Sequence, residues 1–224
     1  MAGSPLPIAV LISGNGSNLQ AIIDAIARGE VPAVITLVVS NNADAYGLER
    51  ARRAGLPVRV LDHRDWPDRE SYDRALMEAI DASGARLVVL AGFMRILSDP
   101  FVEHYRGRLL NIHPSLLPRY KGLDTHARVL AAGEREHGAS VHFVTPALDD
   151  GPVIVQAPVP VRPGDTPETL AQRVHQVEHV IYPLAVKWFA EGRLGMDPEG
   201  NKVLWDGRPL DHPRQVRVES VWAA

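Results

Sequence analysis

Residues 8–13, Ile-Ala-Val-Leu-Ile-Ser, run into Gly14-Asn15-Gly16-Ser17-Asn18 and then into Leu19, Ile22, Ile23 and Ile26, and the fold is read from this stretch. The first residues form a short apolar run of strand length. The glycines break it, and the apolar residues beyond them recur at helical spacing. Strand, tight turn and helix in that order open a βαβ unit. The pattern repeats downstream: Ala33–Ser40 reads as a strand, 45–54 as a helix, 57–61 as a strand, Arg69–Ala82 as a helix, and 86–90 and Leu109–His113 as strands. Alternation of this kind predicts a largely parallel sheet covered on both faces. The unbroken apolar character of 37–39 and Leu87–Leu90 suits strands buried on both sides.

After His113 the rhythm changes. Residues 124–132 read as a helix, and 139–144 and 153–161 as two strands joined through Leu148-Asp149-Asp150-Gly151. That hairpin makes the sheet mixed. Thr166-Pro167-Glu168 is a helix start, with a capping hydroxyl and a proline in the first turn. Leu170, Val174, Val177 and Ile181 carry that helix on, and Pro183 is expected to kink or interrupt it. Beyond Gly192 the chain is richer in Gly, Pro and Asp, and Val203-Leu204-Trp205-Asp206-Gly207 suggests a small hairpin with an Asp-Gly turn. The expected architecture is an α/β, Rossmann-like, mostly parallel sheet with helices on both faces, becoming mixed through a C-terminal antiparallel hairpin. The expected division is one domain over residues 1–195 and a C-terminal appendage over 196–224.

Composition narrows the function classes. The chain has 224 residues, 46% of them hydrophobic and 23% charged, which is ordinary globular usage with material for a sizeable core. A formal charge of −3 gives no electrostatic footprint for a nucleic-acid backbone. The absence of cysteine excludes disulfides, thiolate metal sites and a cysteine nucleophile. Met1-Ala2-Gly3-Ser4-Pro5-Leu6-Pro7 has neither a basic nor a long apolar segment, so no signal peptide is expected, and no stretch is apolar for long enough to span a bilayer. A cytoplasmic location fits all of this, and either a monomer or a homodimer is compatible with it.

The glycine loop sits where a sheet meets a helix N-terminus. Free N–H groups and the positive end of the helix dipole make an anion, above all a phosphate, the natural guest. Ser17 and Asn18 add donors; a tight turn capped by one of them is the plainer reading. A nicotinamide dinucleotide fits less well. The third glycine position of its fingerprint is Leu19, and the second strand ends in Ser40-Asn41-Asn42 with no acid for a ribose diol. A Gly-x-x-x-x-Gly-Lys-Ser/Thr loop is absent too. Neither a nicotinamide nor a flavin cofactor is expected.

Asn111 and His113 stand two apart on one strand and so face the same side. An amide N–H and an imidazole can then converge at the sheet's carboxyl edge, where ligands of parallel sheets bind. A carboxylate from Asp149, in the polar turn that follows, could orient the imidazole and stabilise its charged form. Such a trio suits a developing oxyanion. The alternative is ordinary loop hydrogen bonding and a common Asp-Gly-rich turn.

Several long segments resemble a known family. The segment 11–20, Leu-Ile-Ser-Gly-Asn-Gly-Ser-Asn-Leu-Gln, is similar to the N-terminal signature of phosphoribosylglycinamide formyltransferases. Residues 90–97, Leu-Ala-Gly-Phe-Met-Arg-Ile-Leu, resemble their folate-binding segment. Residues 110–118 resemble the active-site signature around Asn111 and His113, and 140–144 leading to Asp149 resemble the stretch that ends in the catalytic aspartate. Glu178-His179 matches as well. The resemblance runs in register from about residue 8 to residue 195. It departs at Asp150, where a glycine or alanine is common.

The resemblance implies roles for single residues. Asn111, His113 and Asp149 would form the catalytic trio. Gly16, Ser17, Asn18 and Glu178 would bind glycinamide ribonucleotide. Met94, Arg95, Ile96 and Leu97, with Asn111 and Arg69, would bind the folate. The co-substrate would be 10-formyltetrahydrofolate, with no metal required. The reaction would pass a formyl group to the glycinamide amine through a tetrahedral intermediate held by Asn111 and His113, with Asp149 tuning His113. The partners implied are those two small molecules, with neither nucleic acid nor membrane.

Three rival readings compete with this one. His175-Gln176-Val177-Glu178-His179 fits the His-x-x-Glu-His pattern of a zinc peptidase class, but it is short and brings no evident third ligand. Methionyl-tRNA formyltransferases and formyltetrahydrofolate hydrolases share the Asn/His motif. The first carries a further C-terminal domain and the second an N-terminal regulatory domain, for neither of which this chain has room. A non-catalytic nucleotide-binding module would use the glycine loop and leave Asn111, His113 and Asp149 without a purpose.

Overall fold

Alternation along β1 (Leu6–Ile12) sends its side chains into two different cores. Ile8, Val10 and Ile12 join one apolar cluster, and Ala9 and Leu11 join the other. The computed structural model describes residues 3–223. Residues 1, 2 and 224 lie outside it, including the first two residues of the leader reading. β1 is followed by α1 (Ser17–Ala27), β2 (Ala33–Ser40), α2 (Tyr46–Arg53), β3 (Val58–Val60), α3 (Arg69–Ala82), β4 (Leu87–Leu90), α4 (Asp99–His104) and β5 (Leu109–His113). Then come α5 (Thr125–Ala131), β6 (Glu136–Phe143), β7 (Val153–Pro160) and the long α6 (Pro167–Ala190). β8 (Leu194–Met196), β9 (Val203–Trp205), β10 (Arg208–Pro209), β11 (Arg214–Gln215) and α7 (Glu219–Trp222) close the chain.

The main sheet has eight strands in the order β11-β7-β6-β5-β4-β1-β2-β3. β1 pairs in parallel with both β2 and β4, and β4 with β5. β6 runs antiparallel to both of its neighbours, so the sheet is mixed, as the hairpin reading requires. The chain leaves β1 toward β2 and β3, then returns to β4 on the other side. That reversal opens a crevice at the carboxyl ends of β1 and β4, the standard ligand position of such sheets. Residues of α1, α2 and α6 pack on one face, and residues of α3 and α4 on the other. No helix among the described residues is long and apolar enough to cross a membrane.

Two features differ from the sequence reading. First, α6 runs unbroken through Pro183. The proline removes one intrahelical bond, yet Val177, Ile181, Tyr182, Ala185 and Val186 are buried on both sides of it, so packing holds the helix together. Second, α4 carried no apolar period long enough to be read, being six residues with Phe101 and Val102 buried. Residues 195 and 196, on either side of the expected division, both lie in β8, and β11 joins the main sheet beside β7. The expected Asp-Gly hairpin is present: Asp206 and Gly207 have φ of 49° and 78° and link β9 to β10.

The turn after β1 is held by close backbone packing. A Cβ on Gly16, whose φ is 76°, would sit 2.6 Å from the Cα of Gly47 at the start of α2, whereas one on Gly14 would meet nothing within 4 Å. Gly16→Ala is therefore expected to cost about 2 kcal/mol, from the left-handed backbone and the overpacking together. Gly14→Ala should stay within about 0.5 kcal/mol of the parent. Urea unfolding midpoints check both, and equal losses would mean that the Gly16–Gly47 contact is not the constraint.

Candidate active site

The N-terminus of α1 has no side-chain cap. Gln20 N–H makes the first intrahelical bond, to the Gly16 carbonyl, so the N–H groups of Ser17, Asn18 and Leu19 have no intrahelical acceptor. The capped-turn reading of Ser17 or Asn18 is thus not what the loop adopts. Arg50 from α2 braces the loop, donating through Nε to the Asn15 carbonyl and through Nη2 to Asn15 Oδ1, both at 2.8 Å. Ser17, Gln20, Asp24, Arg28, Arg50 and His179 line an open hollow beside it. The uncapped helix N–H groups and the Arg50 guanidinium favour an anion there, with Arg28 already paired to Glu30.

Asn18 does not cap its own helix. Its Nδ2 donates to Glu178 Oε2 at 3.1 Å, and its Oδ1 is buried without a partner. Glu178, on α6, is itself buried. Burial pushes its carboxyl up to about 7, against the Asn18 hydrogen bond, which pulls it down. Near neutral pH the group therefore stands poised between acid and carboxylate. His175 and His179 lie on the same helix with their rings stacked, 6.4 Å between centroids. Among the described residues no group of three His, Asp or Glu side chains is placed to hold a metal ion.

At the carboxyl end of β5, Asn111 and His113 do face one side. The buried imidazole of His113 has an acceptor at each nitrogen. Its Nε2–H donates to the Tyr120 carbonyl at 2.9 Å, and Nδ1 lies 3.5 Å from Asp149 Oδ2, both side chains only 8% exposed. Asp149 also accepts from Gly122 N–H at 2.9 Å. His113 and Asp149 are thus brought together, with Asn111 two residues away on the same face of β5. The Tyr120 carbonyl, supplied by the segment after β5, was not foreseen; nothing in the local pattern marks a backbone oxygen as a partner.

Across the crevice, Met94 and Ile96 are exposed to 70% and 63%, unusual for large apolar side chains on a polar rim. Arg95 turns back over the Tyr72 ring at 4.8 Å, and Leu97 is half-buried. Ser13 ties this segment to the glycine loop, accepting from Met94 N–H at 2.8 Å while donating to Asn41 Oδ1 at 2.6 Å. Arg69 stands exposed in the first turn of α3, and its side chain has no hydrogen bond or ion pair among the described residues. The structure therefore places Arg69 on the same side of the sheet as Tyr72 without joining it to the trio.

Comparison with known proteins follows the same outline. A family model described as formyl transferase matches residues 6–186. The chain is similar to the phosphoribosylglycinamide formyltransferase of Escherichia coli, with 57% identity over 91% of this chain and 95% of that one. It is 46% identical to the enzyme of the same name from Haemophilus influenzae, over 91% of this chain and 95% of that one. Among solved structures, the phosphoribosylglycinamide formyltransferase of Coxiella burnetii superposes with a TM-score of 0.90 at 55% identity, covering 94% of this chain and 99% of that one.

The buried carboxyl makes a thermodynamic prediction. A folded-state value raised from 4.5 to about 7 means that the folded protein holds a proton which the unfolded chain has released. The resulting stability is fully present below pH 4.5 and is lost as the pH rises through about 7. The loss is of order 3 kcal/mol. Glu178→Gln, which cannot ionise, should lack it. Urea unfolding of parent and variant at pH 5 and pH 8 checks this, and an equal gap at both pH values would refute it.

Proposed function

Since this chain belongs to the phosphoribosylglycinamide formyltransferase family, we propose that its crevice transfers the formyl group of 10-formyltetrahydrofolate to the amine of glycinamide ribonucleotide, a step of purine biosynthesis. The ribonucleotide phosphate would dock on the uncapped N–H groups of Ser17 and Asn18 beyond Gly16. Glu178 would accept from a ribose hydroxyl or from the glycinamide amine. The folate would lie against Met94, Arg95, Ile96 and Leu97, with Arg69 reaching its far end and Asn111 its reacting end. Both substrates would be soluble small molecules, which suits a cytoplasmic enzyme without nucleic-acid or membrane partners.

The chemistry follows from the polarity of the site. The free amine attacks the formyl carbon, and the carbonyl oxygen becomes an oxyanion. Asn111 Nδ2–H and His113 supply donors where that charge develops. Asp149 beside Nδ1 stabilises the imidazolium and fixes the ring. For His113 to serve the oxyanion through Nε2, the substrate oxygen takes over the position of the Tyr120 carbonyl. The proton of the attacking amine passes to the departing folate nitrogen through His113 or a water held by Asp149. One arrangement supports this reading most: Asn111, His113 and Asp149 stand together between an anion-seeking loop and an exposed apolar rim. A tRNA acceptor would call for a basic surface tracking many phosphates, which a net charge of −3 does not suggest.

Absorbance-monitored folate release with glycinamide ribonucleotide as acceptor tests the activity. Asn111→Ala is expected to lower kcat about 10²–10³-fold while folate still binds; a loss below threefold would remove Asn111 from the chemistry. Glu178→Gln should raise KM for the ribonucleotide more than KM for the folate. With both acceptors competing for limiting labelled 10-formyltetrahydrofolate, label on methionyl-tRNA and none on the ribonucleotide would overturn the choice of acceptor.

A further inference from the structure

An oxyanion donor is useful only if its N–H, and not its carbonyl, faces the reacting oxygen. The Asn111 side chain could present either end. What decides between them lies on the next strand. Asn111 and His142 are direct cross-strand partners in the antiparallel β5–β6 ladder, so their side chains share a face. Asn111 Nδ2 lies 3.3 Å from His142 Nε2. The other ring nitrogen, Nδ1, lies 2.9 Å from the Phe143 carbonyl oxygen, which can only accept. Nδ1 therefore carries the proton.

His142 is buried, and burial disfavours its charged form. A neutral ring protonated at Nδ1 leaves Nε2 bare, and a bare nitrogen must accept. If the amide of Asn111 were turned over, Oδ1 would face that lone pair with no proton between them. The backbone guards the arrangement from behind. A Cβ at Gly151 would sit 1.7 Å from the Phe143 carbonyl oxygen and 3.4 Å from His142 Nδ1, so only glycine leaves this carbonyl free to receive the ring.

We propose that His142 is a positioning residue for formyl transfer: its tautomer, set by the Phe143 carbonyl, holds the Asn111 amide with one N–H spent on Nε2 and the second turned to the oxyanion. The proposal rests on the formyl-transfer reading of Asn111 and adds to it the group that aims the donor. His142 touches neither substrate in this scheme and acts only through Asn111.

Two substitutions separate this role from simple packing. The terminal amide of glutamine reaches about as far as Nε2 and can still accept from Asn111. That of asparagine reaches only the Nδ1 position, where it can serve Phe143 but not Asn111. His142→Asn is expected to lower kcat about 10–100-fold, with both KM values within about twofold of the parent. His142→Gln should recover at least about tenfold of that loss. In the double variant Asn111→Ala/His142→Asn the losses should not multiply, and its rate should match Asn111→Ala alone. Circular-dichroism melting confirms that each variant folds. If His142→Asn does not fold, His142→Gln decides alone: turnover near the parent supports the proposal, and a loss as large as that of Asn111→Ala overturns it. Full activity in His142→Asn, equal losses in both variants, or multiplied losses in the double variant would also overturn it. If Asn111→Ala is itself fully active, the formyl-transfer reading of Asn111 falls, and the role of His142 falls with it.

Discussion

The phenol of Tyr182 is the point on which the two halves of the crevice are registered. Fully buried on α6, it donates to the Leu90 carbonyl at 2.6 Å and lies 3.1 Å from the Leu110 carbonyl, at the carboxyl end of β4 and near the start of β5. Buried carbonyls left without donors are costly, so this hydroxyl fixes the helix along the sheet. One turn earlier on the same face stands Glu178, aimed at Asn18 in the first turn of α1. A single helix thus sets the distance between the strand ends that carry the chemistry and the loop proposed to carry the phosphate.

Strain gathers on the other side of the crevice. Tyr120, Asp124 and Asp149 have φ of 54°, 55° and 50°, which side chains other than glycine seldom adopt. Conformations of this kind cost of order 1–3 kcal/mol each and persist only where their surroundings dictate them. Here the surroundings are plain. Ser140 donates to the Ser115 carbonyl at 2.7 Å, Gln156 to the Leu117 carbonyl at 2.8 Å, and Thr125 to the Pro114 carbonyl at 2.7 Å. Lys121 pairs with Asp150, the residue that departs from the family pattern. The segment between β5 and α5 is therefore pinned at several points, and its backbone oxygen at Tyr120 is delivered to His113 as a consequence.

Much of this was legible in the amino-acid order because it is local. The strand-turn-helix at residues 8–26, the same-face pair Asn111 and His113, and the Asp206-Gly207 turn each follow from periodicity or from one residue's backbone preference. What escaped has non-local causes. β11 is two residues long and exists only because β7 offers it an edge. Glu178 could be marked by motif, but its displaced titration comes from burial against α1, which no window along α6 reports. The tautomer of His142 is set by the carbonyl of its neighbour, and the amide it meets lies 31 positions away.

The pairing of β11 with β7 has a bearing on solubility. An uncovered edge strand is a template for another chain, and natural proteins blunt such edges. β7 already contains Pro158 and Pro160, which offer no N–H to an intruder. Its carbonyls are claimed by the tail: Val216 N–H donates to the Gln156 carbonyl at 2.9 Å, and the Trp222 indole to that of Pro158 at 3.2 Å. At the opposite edge, β3 is only three residues long. Both margins of the sheet thus end in strands of two or three residues, and so short an edge offers another chain little to pair with.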